Sequence, residues 1–310
     1  MPRTVKLALG VAAAAAICAA LAIGLVLSGW HSSGDNNKDS GGKADLKHYP
    51  NTNEVEDWQR HPETESLAIV MDQKADYGQR LRAIEKLDND LRQKLILDIL
   101  KTVKNPEVDE AIRNDLLGKL ESQEKPLGTL GPLLVEMHGN PADTWKWKNY
   151  CLQHAVPVWK LEADHRKDLV DFLFKVMEEE KGEGKDAAVM YETAMLSLSK
   201  IGASDPEVAG RVAKLASAKI AEKGKDPERA VTAMHVATGA GDKSILPEAR
   251  KTAVDEKALA RLRMSAMAAL GSLGEKEDVA LLQALASGPE GRIKECARLN
   301  LDTLKARLAK

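Results

Sequence analysis

The sequence predicts an all-α chain whose helices pair and stack, and three observations carry that prediction. Apolar residues recur at helical spacing, as at Leu169, Phe172, Leu173, Val176 and Met177. Strict alternation of the kind a half-buried strand needs is missing. An internal repeat organises the helices, and only 11 aromatics (5 Trp, 4 Tyr, 2 Phe) in 310 residues argue against aromatic-rich sandwiches and barrels.

The repeat is anchored on an Ala-Met pair. Thr193-Ala194-Met195 through Gly202 returns as Thr232-Ala233-Met234 through Gly241, and again as Ser265-Ala266-Met267 through Gly274. Its spacings are 39 and 33 residues, and the closing glycine keeps its offset. Small residues on one face let neighbouring helices approach closely, and the glycine is expected to end each helix in a left-handed cap. A second helix is expected after each copy, over residues 205–222, 244–255 and 276–287. Weaker copies lie at Leu81-Arg82-Ala83-Ile84, Ala111-Ile112 and Cys296-Ala297-Arg298-Leu299. Such a pair cannot bury both faces alone, so its neighbours must stack on it. Six or seven pairs fit into residues 61–310.

Helix starts are signalled by Asn105-Pro106-Glu107, Asp205-Pro206-Glu207 and Asp226-Pro227-Glu228. In each, the Asn or Asp oxygen can accept a free N–H of the first turn, and proline sits where its missing N–H costs nothing. Glu then faces the positive end of the helix dipole.

These segments resemble the HEAT-repeat family of α-solenoids, closely over 187–310 and more loosely over 61–186. The resemblance implies a right-handed superhelix whose concave face binds protein partners. The di-iron hydroxylases of this class carry His-Glu dipeptides as ligands, and this chain has none.

Ahead of the repeats, residues 1–6 carry Arg3 and Lys6, and residues 7–27 run 21 positions without a charge. A helix of that length matches the hydrocarbon core of a bilayer, at about 30 Å. Residues 7–28 are therefore read as an uncleaved signal anchor, with a cleaved signal peptide as the alternative. The basic N-terminus would stay in the cytoplasm and the body outside it, in the periplasm if the cell is bacterial. Small residues at Ala8, Ala12, Ala16, Ala20, Gly24 and Ser28 offer an anchor-mediated homodimer. Residues 29–60 read as a flexible tether.

The charge balance, 45 Lys+Arg against 47 Asp+Glu, gives no electrostatic case for nucleic acid. Three cysteines cannot frame a disulfide scaffold. No Cys-x-x-Cys, His-Glu-x-x-His, Gly-x-Ser-x-Gly or phosphate-loop motif occurs, so the chain is expected to be a non-catalytic scaffold or adaptor without cofactor. Two alternatives stay open. One is an enzyme or a metal- or cofactor-handling protein with a groove site near residues 138–165. The other is an architectural envelope protein that binds glycan.

Six of the eleven aromatics fall in residues 145–174. They either fill an irregular repeat, the reading preferred here, or anchor a partner through Trp145, Trp147, Tyr150 and Trp159. Cys151 and His154, three apart on one helix face, are the weak metal candidates, with His138 and His165 within reach of a loop; their spacing is not a zinc pattern. The basic last helix, with Arg292, Lys294, Arg298, Lys305, Arg307 and Lys310, reads as a polar terminal cap.

Overall fold

A computed structural model describes residues 62–179, 184–289 and 291–310, all within one compact unit. The predicted anchor and tether lie outside the described residues. No helix among the described residues is long and apolar enough to cross a membrane.

Among the described residues there are fourteen α-helices, two single-turn 3-10 segments and no strand. The helices are α1 (Pro62–Met71), α2 (Tyr77–Glu85), α3 (Gln93–Lys104), α4 (Glu110–Glu121), α5 (Leu130–Gly139), α6 (Trp145–Leu161) and α7 (Arg166–Glu179). They continue with α8 (Lys185–Gly202), α9 (Pro206–Ala221), α10 (Pro227–Gly239), α11 (Leu246–Val254), α12 (Ala260–Leu273), α13 (Asp278–Ala286) and α14 (Arg292–Leu308). Each odd-numbered helix packs on the even-numbered helix that follows it, giving seven pairs. Even-numbered helices also pack on one another in series from α2 to α14, so they form an unbroken layer. This is a helical repeat stack.

The Ala-Met repeat marks that layer. Ala194-Met195 in α8, Ala233-Met234 in α10 and Ala266-Met267 in α12 are all fully buried. Alanine admits the neighbouring backbone, and each methionine fills the space between layers, contributing about 1.5–3 kcal/mol by burial. The phase differs from the expected one, however. In pairs five to seven, α10, α12 and α14 are the second helices, packed on α9, α11 and α13 before them.

A shared link explains this phase. Five residues join the helices within the first, second, third and sixth pairs, at 72–76, 105–109, 140–144 and 255–259. In each link the first side chain (Asp72, Asn105, Asn140, Asp255) accepts the N–H two residues on, at 2.9–3.0 Å. Its carbonyl accepts the N–H three residues on, at 3.1–3.2 Å. This is an Asx turn, which closes a loop locally. Three pairs add an arginine nine residues after the helix end: Arg80, Arg113 and Arg263 donate Nε to the carbonyls of Val70, Val103 and Ala253, each one residue before that end. The guanidinium thereby satisfies a carbonyl that the ending helix leaves open.

Two sequence expectations change accordingly. Asn105-Pro106-Glu107 does not start a helix: Asn105 opens an Asx turn, and Asp109 caps α4 by accepting from Ala111 and Ile112. The other two motifs do start helices, with Asp205 capping α9 and Asp226 capping α10. Of the repeated glycines only Gly241 is left-handed, with φ 74°. Gly202 is retained for space, since an added Cβ would lie 3.0 Å from the Ala209 Cα. Gly274, at φ −59°, would bring a Cβ against the Leu270 carbonyl.

Candidate partner-binding face

The links place equivalent residues in register along the even-numbered layer. Tyr77, Glu110 and Trp145 are the first residues of α2, α4 and α6. Five residues further on come Asp115 in α4 and Tyr150 in α6. Tyr77 is half exposed, and its hydroxyl donates to Asp115 Oδ2 at 3.1 Å, bridging α2 and α4. The Thr144 hydroxyl donates to Glu110, tying the α6 cap to α4. His154 sits between Glu121 (2.7 Å) and Asn114 (3.0 Å), both on α4.

This face is electronegative. Burial and then the neighbouring Glu110, Asp115 and Asp109 push the Tyr150 phenol above its ordinary pKa. Burial and Asp115 do the same to Tyr77. Asp109 is spent on the α4 cap, Asp115 on Tyr77 and Asn114, and Glu110 on Thr144. None of the three has a Lys or Arg ion pair among the described residues.

Further along the layer, Glu192 of α8 is raised to about 7, first by burial and then by Glu228. Glu228 is paired with Arg261, which joins α10 to α12. The arrangement across α2, α4 and α6 presents phenols and carboxylates side by side, suited to donors and cations from another molecule.

The aromatic candidates separate by depth. Trp147 is fully buried, with the Arg113 guanidinium 3.8 Å above its ring. Trp159 is 7% exposed, and Arg166 stacks on it at 4.7 Å. Both belong to the core and are not partner contacts. Trp145 and Tyr150 are half-buried and pack on the edge of that core. Trp145 and Trp147 thus point in different directions, as residues two apart on a helix must.

The metal candidates do not converge. Cys151 is fully buried, with its thiol pushed up to about 12 by desolvation, whereas His154 turns to α4. His138 packs edge-on against Phe172, ring centres 5.0 Å apart, and His165 contacts the Gly128 carbonyl at 3.1 Å. Among the described residues no three His, Cys, Asp or Glu side chains gather as a metal-binding group. Tyr77, Asp109, Glu110 and Asp115 were not singled out by sequence. The signal that finds them is the offset shared by the links at Asp72, Asn105 and Asn140.

No family model matches the chain, and no curated protein matches it. Among solved structures it is similar to human deoxyhypusine hydroxylase in complex with glycerol, at 17% identity and TM-score 0.33, over 79% of this chain and 97% of that one. It is also similar to a designed armadillo repeat protein, at 13% identity and TM-score 0.38, over 77% of this chain and 98% of that one. The first is an enzyme, so the expectation that the absence of catalytic motifs makes this chain non-catalytic is withdrawn. Likenesses of this size assign it no reaction.

Proposed function

We propose that the chain is a membrane-anchored scaffold or adaptor, held by residues 7–28, whose HEAT-like, right-handed stack binds a protein partner outside the cytoplasm. The binding face is the concave one, and we assign it to the even-numbered helices α2, α4 and α6. One observation carries this reading. Tyr77, Trp145 and Tyr150 stay at least partly accessible there beside Asp109, Glu110 and Asp115, three carboxylates without a Lys or Arg ion pair. Tyrosine and tryptophan are the side chains on which interface energy concentrates. Uncompensated carboxylates would steer and orient a basic partner segment.

A photo-crosslinking residue placed at Tyr77, Trp145 or Tyr150 of the full chain in intact cells tests the assignment. Leu215, exposed on the odd-numbered helix α9, is the comparison position. An adduct of one defined mass from the first three sites and none from Leu215 is the expected result. Equal labelling from both layers, or adducts from Leu215 alone, would remove the even-numbered face from the proposal.

A further inference from the structure

The first pair carries a cleft. It has a volume of about 420 Å³ and lies between the last turn of α1, the first link and one face of α2. Ile69, Ala75 and Ala83 supply its apolar part, and Lys74, Arg82 and Lys86 supply its charge.

Register along the stack shows what sets this cleft apart. The position of Gln79 in α2 is that of Ile112 in α4, Trp147 in α6 and Leu262 in α12, all three buried. Where α2 has Arg82, α4 has Asp115, which accepts from Tyr77 of the preceding pair. Where Lys86 caps the end of α2, α4 has Lys119, which donates back to Asn89, and α6 has His154, which reaches back to Asn114 and Glu121. The second and third pairs therefore use the outer two positions to hold the neighbour before them.

In the first pair two of these positions, Arg82 and Lys86, are exposed cations, and neither they nor Lys74 has a side-chain hydrogen bond or ion pair among the described residues. Nearby cations are spent: Arg80 on the Val70 carbonyl, Lys101 on Asp98, Lys104 on Glu136. The one carboxylate in the lining, Asp72, is engaged by the N–H of Lys74. Gln79 is engaged in the capping box with Asp76. Arg82 and Lys86 are four apart on a helix, an arrangement that repels by a few tenths of a kcal/mol and that an anion would reverse.

We propose that this cleft binds a phosphate monoester. Three cations against one carboxylate leave a surplus of two positive charges, which matches the −1.5 to −2 of such a group at neutral pH. The Arg82 fork supplies paired donors, and the two lysines supply compact charges that can follow the ester's position. The ester is either soluble or the headgroup of an anionic lipid, and the apolar part of the lining suits an attached organic group in both cases.

The test uses the full chain in a neutral detergent, with binding followed by calorimetry. Probes are inorganic phosphate, dioctanoyl phosphatidic acid and, as the comparison without a monoester, dioctanoyl phosphatidylcholine. Saturable binding of phosphate or phosphatidic acid, weakened at least about tenfold in Arg82→Ala/Lys86→Ala and unchanged in Lys101→Ala, is the expected result. Phosphatidic acid at least tenfold tighter than phosphate assigns the lipid source, and comparable affinities assign a soluble ester. No binding of either phosphate or phosphatidic acid overturns the proposal, as does equal affinity in the double variant or equal binding of phosphatidylcholine. The substituted side chains are exposed, so unchanged far-UV circular dichroism certifies that the variants fold.

Discussion

Arg113 of α4 donates Nη1 to Asp143 Oδ1 at 2.6 Å, with both side chains buried, and so pins the second pair to the third. Arg113 also spends Nε on the Val103 carbonyl and lays its guanidinium over Trp147. Removing only Asp143 leaves that guanidinium charged in a dry site, which costs about 3–5 kcal/mol. Asp143→Ala should therefore lower the melting midpoint by roughly 10 °C. Arg113→Met/Asp143→Leu, which removes both charges, should recover much of the loss. A double variant as unstable as Asp143→Ala would show that the pair itself, and not the stranded charge, is what matters.

Glycines divide into those that make room and those that do not. At Gly202 a Cβ would meet the Ala209 backbone at 3.0–3.1 Å, and backbone cannot swing aside. Gly202→Ala should destabilise by about 1–3 kcal/mol through separation of α8 from α9. At Gly210, within α9, nothing lies within 4 Å of the added atom. Gly210→Ala should stabilise by about 0.5–1 kcal/mol through helix propensity and a less free unfolded chain. Denaturant midpoints of the two variants read the sign directly, and shifts in the same direction would contradict the packing argument.

Buried faces were easier to read from sequence than phase or depth. The Ala-Met pairs announced the stacked layer because small and apolar residues at helical spacing leave few other placements. Asp205 and Asp226 announced helix starts because proline fixes the first helical φ behind a side-chain acceptor. Asn105-Pro106 misled, since the same dipeptide suits an Asx turn equally well. The pairing phase turned on which neighbour a helix packs against, which spacing does not encode. Trp145 and Trp147 share one composition signal, yet the second sits beneath Arg113 and the first at an edge, a difference set by tertiary contacts. Tyr77 and Asp115 share a face only because the links repeat their geometry across 33 residues of loose identity.

Two partly buried titratable groups oppose each other in the stability of the fold between pH 4.5 and 6.5. Burial, with smaller effects from Lys148 and Lys175, lowers the His138 imidazole from 6.5 to about 4. Over that range the unfolded chain carries a proton at this site that the folded chain lacks, so the His138 contribution to stability grows as pH rises. It is fully present above 6.5 and lost as pH falls toward 4. Glu192 runs the other way: burial, then Glu228, raises it from 4.5 to about 7, with Arg261 opposing. Here the folded chain keeps the proton, so its contribution is fully present below 4.5 and lost as pH rises toward 7. Denaturant midpoints of wild type, His138→Leu and Glu192→Gln at pH 4.5, 5.5 and 6.5 separate the two. The stability of wild type relative to His138→Leu should increase with pH, and that relative to Glu192→Gln should decrease, each by roughly 1–2 kcal/mol. Variant curves that run parallel to wild type would place neither group's titration in this window.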